Sequence, residues 1–142
     1  MECIFCSIVA GEAESTKVFE DHDILAFMDI QPIHPGQILV IPKEHIDHFS
    51  AVSNIIAEKI FQKSRELTRI IEKKLKPDRV GLIVNGYGVA HAHMIVVPLE
   101  GPGDITTARA AAIHNGKIVF SPRNFPFAKR EELDKIAKLL SE

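Results

Sequence analysis

His91 and His93 interrupt an otherwise apolar stretch, Val89-Ala90-His91-Ala92-His93-Met94-Ile95-Val96-Val97. A neutral imidazole can ligate a metal, accept a proton or attack an electrophile. The stretch reads as a strand over His91–Val97, stopped by Pro98, in which His91, His93, Ile95 and Val97 share one face. Along that face the two rings sit roughly 6.6 Å apart, at about 3.3 Å per residue. Burying polar rings without partners is costly, so the pair points to a site rather than to core packing.

A second group with chemical potential is Cys3-Ile4-Phe5-Cys6, which holds both cysteines of the chain. This spacing brings two sulfurs to one side of a turn and supplies two corners of a tetrahedral zinc site. The remaining corners must come from histidines: His45, His48 and His91 lead, with His22, His34 and His114 behind them. The competing redox reading needs a preceding strand, which the two residues before Cys3 cannot supply. Free cysteines, with no basic segment followed by an apolar stretch near Met1, lead to the expectation of a cytoplasmic, reducing location.

The elements that must position these groups are legible in outline. Residues 3–10 form a short helix closed by Gly11. Strands follow over Thr16–Glu20 and Ile24–Asp29, then a loop from Gln31 to Gly36 and a wholly apolar buried strand at Ile38–Ile41, stopped by Pro42. Ser53 caps a long helix whose apolar stripe, Ile56, Ile60, Leu67, Ile70, Ile71 and Leu75, runs on until Pro77. Val80–Val84 is a strand, followed by a turn at Asn85-Gly86. Beyond Pro98, Asn115-Gly116 turns a small hairpin into Lys117–Phe120, and Arg130–Leu140 carries a helical stripe of Leu133, Ile136, Leu139 and Leu140. This order predicts one α+β domain over residues 1–142 built on an antiparallel sheet, with a core at 3–98 and a C-terminal extension at 99–142 ending in a helix.

Composition narrows the function classes. The 142 residues carry a net charge of −2 with 46% hydrophobic residues, which suits a folded soluble domain. The basic residues are scattered, without the concentrated patch of a nucleic-acid binder. No apolar run is long enough to span a membrane.

Several linked segments resemble the bacterial histidine triad (HIT) family. They are Cys3-Ile4-Phe5-Cys6-Ser7-Ile8-Val9-Ala10-Gly11-Glu12, Val18-Phe19-Glu20-Asp21, Ile24–Ile30, Leu39–His45, and Val89-Ala90-His91-Ala92-His93 with Pro98 at the family's offset. The resemblance covers residues 3–98 and implies a HIT-like antiparallel sheet, usually in a homodimer whose sheets join. It implies structural zinc on Cys3, Cys6, His45 and His91, and His93 as nucleophile. The implied reaction cleaves nucleoside phosphate derivatives at the α-phosphate through a covalent nucleotidyl-histidine, as in dinucleoside polyphosphate or nucleoside phosphoramidate hydrolases. By the same resemblance, Ile4, Phe5, Ile8, Phe27, Met28 and Ile30 surround the base. Asp29 accepts the ribose hydroxyls, and Asn85 lies near the phosphates.

Two departures bear on rate. Ile95 occupies the third signature position, where the family normally has histidine. The segment from Asn85 to His91 is short and lacks the family's Gly-Gln-Ser/Thr phosphate contacts. A zinc-stabilised nucleotide-binding module with little or no catalysis is therefore the alternative reading, and a zinc-stabilised interaction protein without a nucleotide site is a third.

Overall fold

The computed structural model describes residues 2–105, 110–121 and 124–141. Strands β1 (Lys17–Glu20), β2 (Ile24–Met28), β3 (Ile38–Pro42), β4 (Arg79–Ile83) and β5 (Met94–Leu99) form one antiparallel sheet in the order β1-β2-β3-β5-β4. Helices α1 (Ile4–Val9), α2 (Asn54–Leu75) and α3 (Arg130–Ser141) complete the fold, and a separate hairpin pairs β6 (Ala111–His114) with β7 (Lys117–Phe120). This is the α+β architecture that the sequence predicts.

Every residue of β2 and β3 is buried, because both faces of the sheet are covered. Side chains alternate between the faces along each strand. Ile24, Ala26, Met28, Ile38, Val40, Met94 and Val96 join a core with α2 and α3, whereas Leu25, Phe27, Leu39, Ile41 and Ile95 pack with Phe5 and Ile8 of α1. Helix α2 presents Ile60, Ser64, Leu67 and Ile71 to its side, a stripe at helical spacing. Its ends follow the sequence: the Ser53 hydroxyl accepts the Ile56 N–H at 3.4 Å, and Lys76 adopts a left-handed conformation before Pro77.

Two boundaries differ from expectation in ways that shape the site. Strand β5 begins at Met94, so His91 and His93 precede the strand rather than lie in it. The Ala92 N–H bonds to the Ile46 carbonyl at 2.6 Å, which diverts this segment from the ladder and ties it to the chain leaving β3. Pro98 is inside β5 opposite Val80 and does not end the strand. The pairing of β5 with β3 runs only from Met94 to Val96, so Pro98 has an unladdered side where a missing N–H costs little.

The loop from Asp29 to Gln37 packs closely on the rest of the fold. Gly36 has φ +99°, and a Cβ there would run into Leu75 Cδ1 at the end of α2, so glycine satisfies both the conformation and the contact. Helix α3 docks Leu133, Ala137 and Leu140 into the α2-side core, while Leu139 stays partly exposed. Ala137 thus completes a stripe for which the sequence suggested Leu139. No helix among the described residues is long and apolar enough to cross a membrane.

Candidate metal centre and active site

Helix α1 starts at Cys3, whose carbonyl accepts the Ser7 N–H at 3.0 Å, and it ends on Gly11 at φ +77°. One turn of this helix sets the Cys3 and Cys6 sulfurs side by side. His45 arrives on the chain leaving β3, and His91 lies just ahead of β5. The ligand atoms of Cys3, Cys6, His45 and His91 all fall within 4.8 Å of one another.

The spacing within this cluster is informative. Cys6 Sγ lies 3.2 Å from His45 Nδ1 and 3.6 Å from His91 Nδ1, and Cys3 Sγ lies 3.5 Å from His91 Nδ1. Zinc bonds of about 2.3 Å to sulfur and 2.0–2.1 Å to nitrogen, at tetrahedral angles, put sulfur and nitrogen about 3.6 Å apart. His91 donates its Nε2–H to the Pro42 carbonyl at 2.8 Å, which leaves the Nδ1 lone pair pointing into the cluster. That outer hydrogen bond is what a histidine ligand requires. Burial holds His91 below its ordinary pKa and therefore neutral. Burial also raises the Cys6 thiol, with Cys3 beside it adding to the effect. A bound cation would reverse that tendency. The donor types and the separations to His91 fit a tetrahedral zinc ion, with the Cys6–His45 pair somewhat closer at 3.2 Å.

The other histidines are elsewhere. His48 is largely exposed, its ring 3.9 Å from Asp47, and it is His45 that lies in the cluster. His22 faces Asp23, His34 bonds Asp104 at 2.7 Å, and His114 meets Asn124 at 3.5 Å. A surface cavity of about 370 Å³, lined by Cys3, Cys6, His45 and Glu12 among others, opens on the outer side of the cluster.

His93 faces the same side of the sheet. The Phe5 ring makes edge contacts with the rings of Phe27, His91 and His93, at centroid separations of 5.3, 5.7 and 5.5 Å. His93 is only 6% exposed, yet its environment is ordered for chemistry. Its Nδ1 donates to the His91 carbonyl at 2.7 Å, which fixes the tautomer with Nε2 as the lone-pair nitrogen. Among the described residues Nε2 has no hydrogen-bond partner.

The residues expected around a nucleotide divide into three groups. Phe5, Ile8 and Phe27 are buried together in an apolar cluster on the α1 side, whereas Ile4 and Ile30 are about half exposed. Met28, expected beside the base, instead lies in the α2-side core at 1% exposure, because neighbours on a strand point to opposite faces. Asp29 follows β2 and is partly exposed; its carboxylate accepts the Gln31 N–H at 2.9 Å and the Gln37 amide at 2.7 Å. Asn85 is exposed on the loop between β4 and β5, its side chain accepting the Tyr87 N–H at 3.1 Å.

Sequence reasoning passed over Gln37. Its signal was a single polar residue at the head of a strand whose other members are all buried and apolar.

Fold and site together define a small α+β protein that pairs a two-cysteine, two-histidine donor cluster with a tautomer-fixed histidine on one sheet face. The HIT domain family model matches residues 10–101, and the chain belongs to that family, whose members are generally nucleotide hydrolases and transferases. Over 107 residues it is 37% identical to Protein hit of Bacillus subtilis, covering 72% of this chain and 74% of that protein. A HIT family hydrolase from Legionella pneumophila superposes with TM-score 0.58 at 35% identity, over 68% of this chain and 91% of that one. A zinc-bound histidine triad family protein from Mycobacterium smegmatis superposes with TM-score 0.75 over 99% of this chain and 91% of that one; at 24% identity this likeness speaks to the fold.

Proposed function

We propose that this chain cleaves nucleoside phosphate derivatives at the α-phosphorus, with His93 as nucleophile. The observation that carries this is the His93–His91 hydrogen bond, which commits Nδ1 as a donor and leaves Nε2 as the attacking nitrogen. In the first step the Nε2 lone pair forms a bond to phosphorus, and the leaving group departs with the electron pair of the broken bond and takes up a proton. The His91 carbonyl stabilises the ring while it carries positive charge. In the second step water attacks the nucleotidyl-histidine, releasing a nucleoside monophosphate and restoring the neutral ring. The substrate class is a dinucleoside polyphosphate or a nucleoside phosphoramidate.

The nucleoside would rest on the floor of Phe5, Ile8 and Phe27, between Ile4 and Ile30, with its ribose on Asp29 and its phosphates towards Asn85. Cys3, Cys6, His45 and His91 would hold zinc, which would tie α1, the exit of β3 and the segment before β5 together. With four protein donors the ion keeps no open position, so its contribution is structural. A cytoplasmic location is part of the same proposal, since free thiols at Cys3 and Cys6 persist in a reducing compartment. So is a homodimer: β4 ends the sheet, and a second copy paired along it would join two sheets into one.

The test is a hydrolysis screen of nucleoside phosphoramidates and dinucleoside polyphosphates beside His93→Ala. Turnover should vanish in the variant while its metal content and melting temperature stay near wild type. Equal turnover in the two proteins would overturn the nucleophile assignment. The alternative, a nucleotide-binding module without catalysis, draws on Ile95, and nucleotide binding with no hydrolysis across the screen would favour it.

A further inference from the structure

Gln37 is 4% exposed and carries four hydrogen-bonding capacities on its side chain, so its partners determine what it does. Its Oε1 accepts the Ile33 N–H at 2.8 Å, and its Nε2 donates to Asp29 Oδ2 at 2.7 Å. The reverse amide orientation would set oxygen against carboxylate and NH2 against N–H, so the network admits one orientation only. The main chain repeats the link, with the Asp29 N–H bonded to the Gln37 carbonyl at 3.0 Å. Gln37 therefore spans the base of the 29–37 loop as a strut anchored at both ends.

The consequence falls on Asp29. One of its oxygens accepts from the Gln31 backbone and the other from Gln37, both neutral donors. No lysine, arginine or histidine pairs with this carboxylate among the described residues. Each carboxylate oxygen keeps a second acceptor direction for an outside donor. Two adjacent hydroxyls, one to each oxygen, match that arrangement.

We propose that Gln37 is a positioning residue that holds the Asp29 carboxylate in the orientation that accepts both ribose hydroxyls. The inference rests on the placement of the ribose at Asp29 made above. The strut would act by preventing the carboxylate from rotating, without touching the ligand.

The experiment is calorimetric titration of the full chain with AMP and GMP and with their 2′,3′-dideoxy counterparts, in wild type, Gln37→Glu and Gln37→Met. Gln37→Met removes both the donor to Asp29 and the acceptor for the Ile33 N–H, whereas Gln37→Glu keeps that acceptor but sets a second carboxyl against Asp29, where the two must share a proton or repel. Wild type should prefer the ribonucleotides by roughly tenfold or more, the scale of hydrogen bonds to a charged group. In Gln37→Met that preference should fall to within about threefold, while dideoxynucleotide affinity stays near wild type. Retention of the preference in both variants would overturn the role of Gln37 alone. Equal loss of affinity for ribo- and dideoxynucleotides would show a merely structural role and also overturn it. A wild type without preference would remove the ribose from Asp29, and the inference with it. Should Gln37→Met fail to fold, Gln37→Glu decides the matter, since it keeps the Ile33 acceptor and a proton shared with Asp29 should also abolish the preference.

Discussion

The His91 carbonyl accepts the Nδ1–H of His93 at 2.7 Å, while the His91 ring sits in the donor cluster through Nδ1. One residue therefore joins the proposed zinc site to the proposed nucleophile, its side chain serving one and its backbone the other. Loss of metal should free the His91 ring and disturb the carbonyl that orients His93. Metal analysis should find close to one zinc ion per chain. Cys3→Ser should lower the melting temperature by on the order of 10 °C, the equivalent of roughly 3 kcal/mol lost from metal-linked folding. Prolonged chelation of wild type should give the same shift. Metal-free protein with unchanged melting in chelator would refute the zinc assignment.

Ile95 lies on the same face as His91 and His93, packed at the edge of the cluster around Phe5. Its strand neighbours are Leu39 and Ile83, so the position is central in the sheet and well fixed. An isoleucine cannot donate a hydrogen bond to a phosphate oxygen as charge develops there. A single transition-state donor is worth on the order of a hundredfold in comparable sites. Ile95→His should therefore raise kcat on a responsive substrate by about tenfold or more, with KM little changed. A folded variant with an unaltered rate would show that position 95 does not reach the reacting phosphate.

The parts of this site that depend on local pattern were legible in the sequence. The sulfur pair, the capped long helix, the Asn115-Gly116 hairpin turn and the buried third strand all follow from spacing and turn chemistry. The choice between His45 and His48 was not, because both leave β3 on the same stretch of chain. Long-range hydrogen bonds, from the Lys43 N–H to the Asp23 carbonyl and from the Ala92 N–H to the Ile46 carbonyl, hold the stretch that carries His45 beside the cysteines. The same bond at Ala92 explains why the two histidines precede β5 rather than lie in it. Met28 is a different case: strand alternation already excludes Phe27 and Met28 from one pocket.

Asp104 ties the start of the C-terminal extension to the loop before β3, and its ionisation should register in stability. Its carboxyl lies at about 2, below the ordinary 3.8; the Glu100 N–H does most, partial burial opposes, and His34 and the Gly101 N–H add to the lowering. A carboxylate with a depressed folded-state pKa contributes stability that is full above the unfolded value and lost as pH falls through the folded one. Asp104→Asn should therefore melt below wild type near pH 6, and the gap should close as pH falls from about 4 to about 2. Other lowered carboxylates, such as Asp23 beside Lys59, affect both proteins alike, so the difference isolates this group. A gap that is constant across that range would exclude the assigned role of Asp104.

Helix α3 carries the least interpretable part of the sequence, yet its packing makes it part of the fold. Leu133 is 2% exposed within the same core as Ile24, Ile60 and Val96, and α3 contacts both α2 and β1. An apolar stripe on a helix reveals that something is covered without revealing what, which is why the sequence left its destination open. Truncating such a side chain removes its transfer free energy and leaves a cavity, a loss of about 2–5 kcal/mol. Leu133→Ala should therefore shift the whole unfolding curve to lower denaturant as a single transition. A separate early transition in that variant, or none of the expected loss, would mean that the sheet and α2 fold without help from α3. A single shifted transition would instead make residues 130–141 a required part of the domain that holds His91 and His93 in place.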